Sequence, residues 1–231
     1  MVRKILLIAL LFHSFALFGQ PLTAESLIQK VKEKLGKVKD YEASGRMKTN
    51  VVFLKVPVAT VKVYYKNPDK LKIKNEKGIS FIPKGAVTIN MNNILTLNSF
   101  TAIDAGSVKL GNKNARIVKL LPIDENSDLV LATLYIDEKD MVILKTKTTT
   151  RDNGTYELEM SYGKYIEYGL ADKVIFTFNT KDYKMPKGVT FDFDDGGQKK
   201  EMEKMKDKKG KVEISYSSYI INKGLPAGVF Q

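Results

Sequence analysis

Polar and apolar residues alternate strictly through three successive segments between Asp40 and Asn75. Gly45, Met47, Val51 and Phe53 share one parity, and Ser44, Arg46, Lys48 and Asn50 share the other. Ala59, Val61, Val63 and Tyr65 alternate with Thr60, Lys62, Tyr64 and Lys66; Leu71 and Ile73 alternate with Lys70, Lys72 and Lys74. A period of two predicts strands with one apolar face and one wet, mostly basic face. Antiparallel sheets with one solvated side carry this pattern. The apolar side must be covered, and the nature of the cover decides the function.

Ahead of these strands, Thr23 to Val38 has helical spacing, with Leu27, Ile28, Val31, Leu35 and Val38 on one stripe and lysines opposite. Thr23 or Ser26 can cap it. One amphipathic helix before a run of strands lays its apolar stripe on the sheet. Asn67-Pro68-Asp69 is a turn signal. Gly78 to Pro83 reads as a short apolar strand, whereas Lys84 to Ala105, with Leu95 among its apolar residues, has no clean period and is left open between strand, short helix and a mobile cover. Further strands follow over Ala115–Leu121, Leu129–Ile136 and Met141–Thr150, the last two joined by the four-residue loop Asp137 to Asp140. Asp152-Asn153-Gly154 is the strongest hairpin signal. Tyr156, Leu158, Met160 and Tyr162 then share a parity, as do Val174, Phe176 and Phe178; Val189, Phe191 and Phe193; and Val212, Ile214 and Tyr216. About ten strands with short turns predict a mainly β fold, a curved antiparallel sheet that meanders and curls toward a barrel. Gln198 to Lys211 is a mixed-charge run and reads as a solvated loop.

The first residues change the picture of where the chain works. Met1-Val2-Arg3-Lys4 is basic, Ile5 to Phe18 is almost wholly apolar, and Gly19 is a small-residue exit, the pattern of a secretory signal peptide over residues 1–19. The run is shorter than the ~20 residues a membrane-spanning helix requires. Residues 20–231 are then expected to form one domain, large enough for a real core. The chain has no Cys, so burial alone must hold the exported fold. Net charge is +12, and losing Arg3 and Lys4 leaves +10. A basic surface attracts nucleic acid, anionic membrane or an acidic partner. Export favours membrane or partner over nucleic acid, and a merely soluble lysine-rich surface is the plainer alternative.

Candidate chemistry is sparse. The one histidine, His13, falls in the expected signal peptide, so the Ser-His-Asp and Cys-His systems and the usual zinc sites are excluded. Asp192 and Asp194 face away from Phe191 and Phe193, as on an ordinary outward strand edge. Asp192, Asp194, Gly197 and Glu203 match a calcium loop in part, but Gly196 and Lys199 break the pattern. No metal, no cofactor and no catalytic residue is expected; the chain reads as a binding protein rather than an enzyme. The aromatics are more informative. Phe53, Tyr65, Phe81, Tyr156, Phe176, Phe178, Phe191 and Phe193 all fall on inward parities. They either fill a dry core or line a lipid-sized cavity, since an eight-stranded barrel already leaves room for a small ligand.

The order of elements and some specific residues resemble a known family. An amphipathic helix, then DYEASGRMK, a second strand, and YYKNPDKLKIK is similar to the LolA-like periplasmic lipoprotein-sorting carriers, most visibly in the turn Tyr65-Lys66-Asn67-Pro68-Asp69-Lys70-Leu71. RIVKLLP (Arg116 to Pro122) and the run YIDEKDMVILKTKTTTRDNGTYELEMSYGKY resemble the family's later paired strands. The resemblance implies an open barrel with a helical or loop cover. Its concave face would carry acyl chains of lipoproteins, or other lipids, toward the outer membrane, with membrane-protein donors and acceptors and the carrier acting as a monomer. Under it, the cavity residues are Met47, Val51, Phe53, Val61, Val63, Tyr65, Leu71, Ile73, Phe81, Leu95, Tyr156, Met160, Phe176, Phe178, Phe191 and Phe193. Asn67, Leu27, Ile28 and Val31 would meet the lid. In the sorting carriers the residue before the turn proline is commonly Arg and is linked to locking the lid; here it is Asn67, whose amide lacks Arg's charge-assisted bonds. An envelope sensor or interaction protein, acting through the basic surface on a membrane partner, is the alternative on the same fold.

Overall fold

Thr23 sets the start of the helix: its side-chain oxygen accepts the Ser26 backbone N–H at 3.2 Å. A computed structural model describes residues 22–51, 54–55, 58–77, 100–152, 154–179 and 209–231. The expected signal peptide, Phe53, Phe81, Leu95, Asn153, Phe191, Phe193, the strands read over 78–83 and 189–193, the partial calcium loop and residues 198–208 lie outside the described residues. The helix, α1, spans Ala24–Gly36. It buries Leu27, Ile28 and Val31 almost completely.

Strands follow in a meander: β1 (Asp40–Val51), β2 (Leu54–Lys55), β3 (Ala59–Lys66), β4 (Lys70–Lys77), β5 (Phe100–Leu110) and β6 (Lys113–Pro122). Then come β7 (Leu129–Asp137), β8 (Val142–Thr150), β9 (Gly154–Ser161), β10 (Lys173–Asn179) and β11 (Lys209–Ile221). The sheet order is β4-β3-β1-β11-β10-β9-β8-β7-β6-β5, and β2 pairs with β1. Every described pairing is antiparallel. Among the described residues β4 and β5 end the order and are not paired to each other, so the curved sheet stays unclosed, as the family resemblance implies.

Most of the differences from the sequence reading are local. Met141, read as the first residue of a strand, has φ 51° and belongs to the turn before β8. That left-handed backbone cannot continue a strand. The part of the unassigned stretch that is described, Phe100 to Ala105, is strand, and its mixed pattern reflects a largely exposed β5 lying at the end of the sheet.

Inward parities of β1 and β3 are buried as expected, those of β4 (Leu71 and Ile73) are half-buried, and Tyr64, read on the wet parity of β3, is buried. Met47, Val51, Ala59, Val61 and Val63 on β1 and β3 join Val118, Leu120, Leu134 and Ile136 on β6 and β7 in one apolar cluster with the helix. At the crossing of β1 and β11 the register shifts between Ser44 and Gly45. A Cβ on Gly45 would come within 2.7 Å of the Ser215 carbonyl oxygen, so this close approach requires glycine. Gly210 on β11 serves the ring of Phe178 in the same way, since a Cβ there would sit 2.5 Å from it.

Candidate functional site: an apolar cavity with a tyrosine end

The helix covers only one side of the sheet's concave face. Its Lys34 donates to the Asp140 carbonyl at the β7–β8 turn. Lys32 lies 5.0 Å above the Phe100 ring of β5. Arg116 of β6 donates to the Leu22 carbonyl at 3.4 Å, just before the helix. Beyond the helix, over β4, β3, β1, β11, β10 and β9, lies a cavity of about 150 Å³.

Its floor is made by cross-strand rows of inward residues. Met47, Ile214, Val174 and Met160 are successive partners across β1, β11, β10 and β9, and all four line the cavity. Val212, Phe176 and Leu158 form the next such row and also line it. Tyr65 and Leu71 are partners on β3 and β4, as are Val63 and Ile73, and they close one side. Leu35 and Val38 at the end of the helix, and Gly169, Leu170 and Ala171 after the short 3₁₀ turn Ile166–Tyr168, supply the rest of the wall. A Cβ on Gly169 would lie 3.0 Å from the Leu35 side chain, and its φ of 66° also favours glycine. That residue lets the loop close against the helix.

Of the expected cavity residues, Met47, Val63, Tyr65, Leu71, Ile73, Met160 and Phe176 line the cavity. Val51, Val61, Tyr156 and Phe178 are buried in the apolar cluster and do not line it. Leu27, Ile28 and Val31 pack into that cluster as core. Asn67 sits exposed in the β3–β4 turn, where its backbone N–H donates to the Lys39 carbonyl at 2.8 Å. Sequence reasoning missed the tyrosines. Tyr41, Tyr162, Tyr216 and Tyr219 line the cavity beside Tyr65. Tyr41 stacks on Tyr65 with centroids 5.2 Å apart, and Tyr219 meets Tyr41 at 5.3 Å, Tyr216 at 5.1 Å and Tyr165 at 4.9 Å. Tyr162 and Tyr216 already stood on inward parities, but Tyr41 and Tyr219 fall at strand ends, where alternation gives little guidance.

Burial raises the phenol acidity constants of Tyr41, Tyr162, Tyr216 and Tyr219 well above the ordinary tyrosine value. These groups are neutral at any physiological pH. Among the described lining residues there is no charged side chain. The ionic groups lie elsewhere. Lys113 bridges Asp137 at 2.7 Å and Asp140 at 3.0 Å, and Arg116 pairs with Asp104 and Glu138. Burial pushes the Asp137 carboxyl up, but its hydrogen bond from Lys113 and that cation's charge bring it below the usual carboxylate range overall. A depressed carboxyl beside a cation is a poor proton donor. Among the described residues no cluster of acids, His or Cys has the make-up of a metal site.

The convex face is more organised than the sequence spacing implies. Register places Lys62 opposite Lys74, Tyr64 opposite Lys72 and Lys66 opposite Lys70 on β3 and β4, beside Arg46 and Lys48 of β1. Among the described residues Glu42 and Glu76 counter only Lys62, at 2.7 and 3.6 Å. Across β8 and β9, by contrast, Lys145 pairs with Glu157 at 2.7 Å and Glu159 at 3.4 Å. Lysines that look evenly spread along the chain therefore gather on one part of the sheet.

An open antiparallel barrel with a helix against its concave face is the LolA-like fold. Solved structures bear this out. A domain from Vibrio parahaemolyticus named for outer membrane lipoprotein sorting superposes with a TM-score of 0.56 at 11% identity, covering 90% of this chain and 97% of that one. A LolA superfamily protein from Nitrosomonas europaea gives 0.56 at 10% identity over 91% and 98%. A DUF1329 family protein from Desulfovibrio piger gives 0.56 at 11% identity over 90% and 97%. At these identities the likeness is one of fold. No protein-family model matches the sequence, and no curated protein is significantly similar to it.

Proposed function

We propose that this protein is a non-catalytic lipid carrier of the LolA-like kind, exported by its first 19 residues and working in the periplasm. The observation that carries the proposal is the apolar cavity on the side of the concave face that the helix leaves uncovered. Acyl burial there is worth about 0.8 kcal/mol per CH₂. The cavity volume of about 150 Å³ equals that of an engineered apolar cavity that takes up benzene. In this conformation it holds a short acyl segment. A full chain enters when the cover shifts, and the lipid then stabilises the more open state it binds better. The residues supply shape and dryness, and no bond is made or broken. Delivery of lipoprotein acyl chains toward the outer membrane, between membrane-protein donor and acceptor, is the finer version of this reading.

A fluorescent lipidated peptide tests it. The protein takes up the peptide saturably, and Val174→Phe, which places a ring in the cavity without adding charge, weakens uptake about tenfold or more while the melting temperature holds or rises. A wild-type protein that takes up no lipidated peptide would falsify the carrier reading.

A second reading has its own support in the clustered cations of β1, β3 and β4. A sensor or interaction protein would use that basic convex face to meet an acidic membrane-protein partner. Such a protein would bind that partner equally well with the Val174→Phe ring obstructing its cavity.

A further inference from the structure

Five tyrosines line the cavity, and three of them have committed hydroxyls. Tyr65 donates to the Pro68 carbonyl at 3.2 Å, Tyr162 to the Ile143 carbonyl at 2.8 Å and Tyr219 to the Ala171 carbonyl at 2.7 Å. Tyr41 and Tyr216 differ. Both line the cavity and both pack on the ring of Tyr219, yet neither hydroxyl has a hydrogen-bond partner. They therefore sit at one end of the cavity as two uncommitted donors.

Both side chains are half-buried and their oxygens stay accessible, unlike the sealed Thr146 oxygen, so an apolar molecule that fills the cavity strips these donors of water at a cost unless it brings an acceptor. Phe would fill the same space at no such cost, and Phe176 does so elsewhere in the same wall. The hydroxyls make sense when the cavity is occupied by a molecule that offers an acceptor at this end. We infer that Tyr41 and Tyr216 form a hydrogen-bonding subsite for a neutral acyl carbonyl, an ester or an amide, at the head of the bound chain. The inference rests on the carrier reading and adds where the head of the ligand lies and what it is made of.

The charge of that head follows from the wall. No charged side chain is among the described lining residues, so an ionised carboxylate would be buried without a counter-cation. A neutral carbonyl needs only donors, and raised phenol acidity constants keep both donors protonated. Two hydrogen bonds from one end of an otherwise apolar cavity also fix the direction of entry: the chain runs from the tyrosines toward the Met47–Met160 row.

Calorimetric titration with four short ligands of equal chain length tests the subsite: methyl octanoate, N-methyl octanamide, octanoate and the matching alkane. The wild type binds the ester and the amide, and binds octanoate at least about tenfold more weakly. Tyr41→Phe with Tyr216→Phe weakens ester and amide about tenfold and leaves the alkane within about twofold. Each single variant shows part of the loss, which keeps the test open should the double variant fold poorly. Ester and amide that both lose no more than the alkane overturn the subsite while the carrier reading stands, as does octanoate binding as tightly as the ester. If none of the four binds to the wild type, the carrier reading falls with it. If only one of ester and amide responds to the double variant, the subsite holds and that carbonyl is its ligand.

Discussion

Single side chains in this barrel are held to very different standards. Thr146 of β8 is fully buried, opposite Leu134 and Leu158, and its hydroxyl has no hydrogen-bond partner. It sits in the core away from the cavity lining, so no ligand can complete it. Val is close in shape and removes the orphan group. Thr146→Val is expected to stabilise the protein by about 1 kcal/mol, which raises the melting temperature by about 2–4 °C for a chain of this size. A fall in melting temperature would show that the hydroxyl is bonded after all. Tyr41 and Tyr216 also lack a hydrogen-bond partner, but they line the cavity and their oxygens stay accessible, and there the missing partner is read as a ligand. The distinction between the two cases is one of place, and sequence cannot draw it. Alternation put Met47, Val63, Tyr65, Leu71, Ile73, Met160 and Phe176 on the right face. It could not separate these from Val51, Val61, Tyr156 and Phe178, because parity selects a side of the sheet and the curvature of the sheet decides which inward residues meet the helix and which meet the cavity.

At the scale of elements, the tyrosines tie β1, β3, β11 and the loop after the 3₁₀ turn together. Tyr219 donates to Ala171 and packs on Tyr41, Tyr216 and Tyr165, so three strands and a loop converge on one ring. Burial raises the folded-state acidity constants of Tyr41, Tyr162, Tyr216 and Tyr219 above their unfolded values. The stability linked to these groups is complete below the unfolded tyrosine value of about 10, and it is lost as pH rises from there toward the folded values. An ultraviolet difference titration should therefore show Tyr41, Tyr162, Tyr216 and Tyr219 ionising only above the ordinary tyrosine range and together with loss of near-ultraviolet circular dichroism. Ionisation of all eleven tyrosines in one step near pH 10, with the fold intact, would contradict the buried cluster. The helix, most turns and the described strands other than β2 and β5 were readable from local pattern, because caps, proline turns and a period of two are local physics. Met141 was not: its left-handed backbone follows from closing the turn between β7 and β8. The basic patch was not either, since pairing β3 with β4 and β1, rather than spacing within any one strand, brings those cations together.

For the whole molecule, the open sheet order leaves two unlike surfaces back to back. The convex side of β1, β3 and β4 is basic and wet, and the concave side behind it carries the cavity. A carrier benefits from this arrangement, because a basic back attracts anionic lipid surfaces while the apolar front shields an acyl segment from water. The central claim is that a lipid occupies the cavity in the working protein. Mass spectrometry of lipids extracted from protein purified after export tests that claim most directly. The account predicts a co-purifying acyl ester or amide in near-stoichiometric amount, much reduced in Val174→Phe. Protein that is lipid-free as isolated, equally so in both forms, and that takes up no lipidated peptide afterwards, would contradict it.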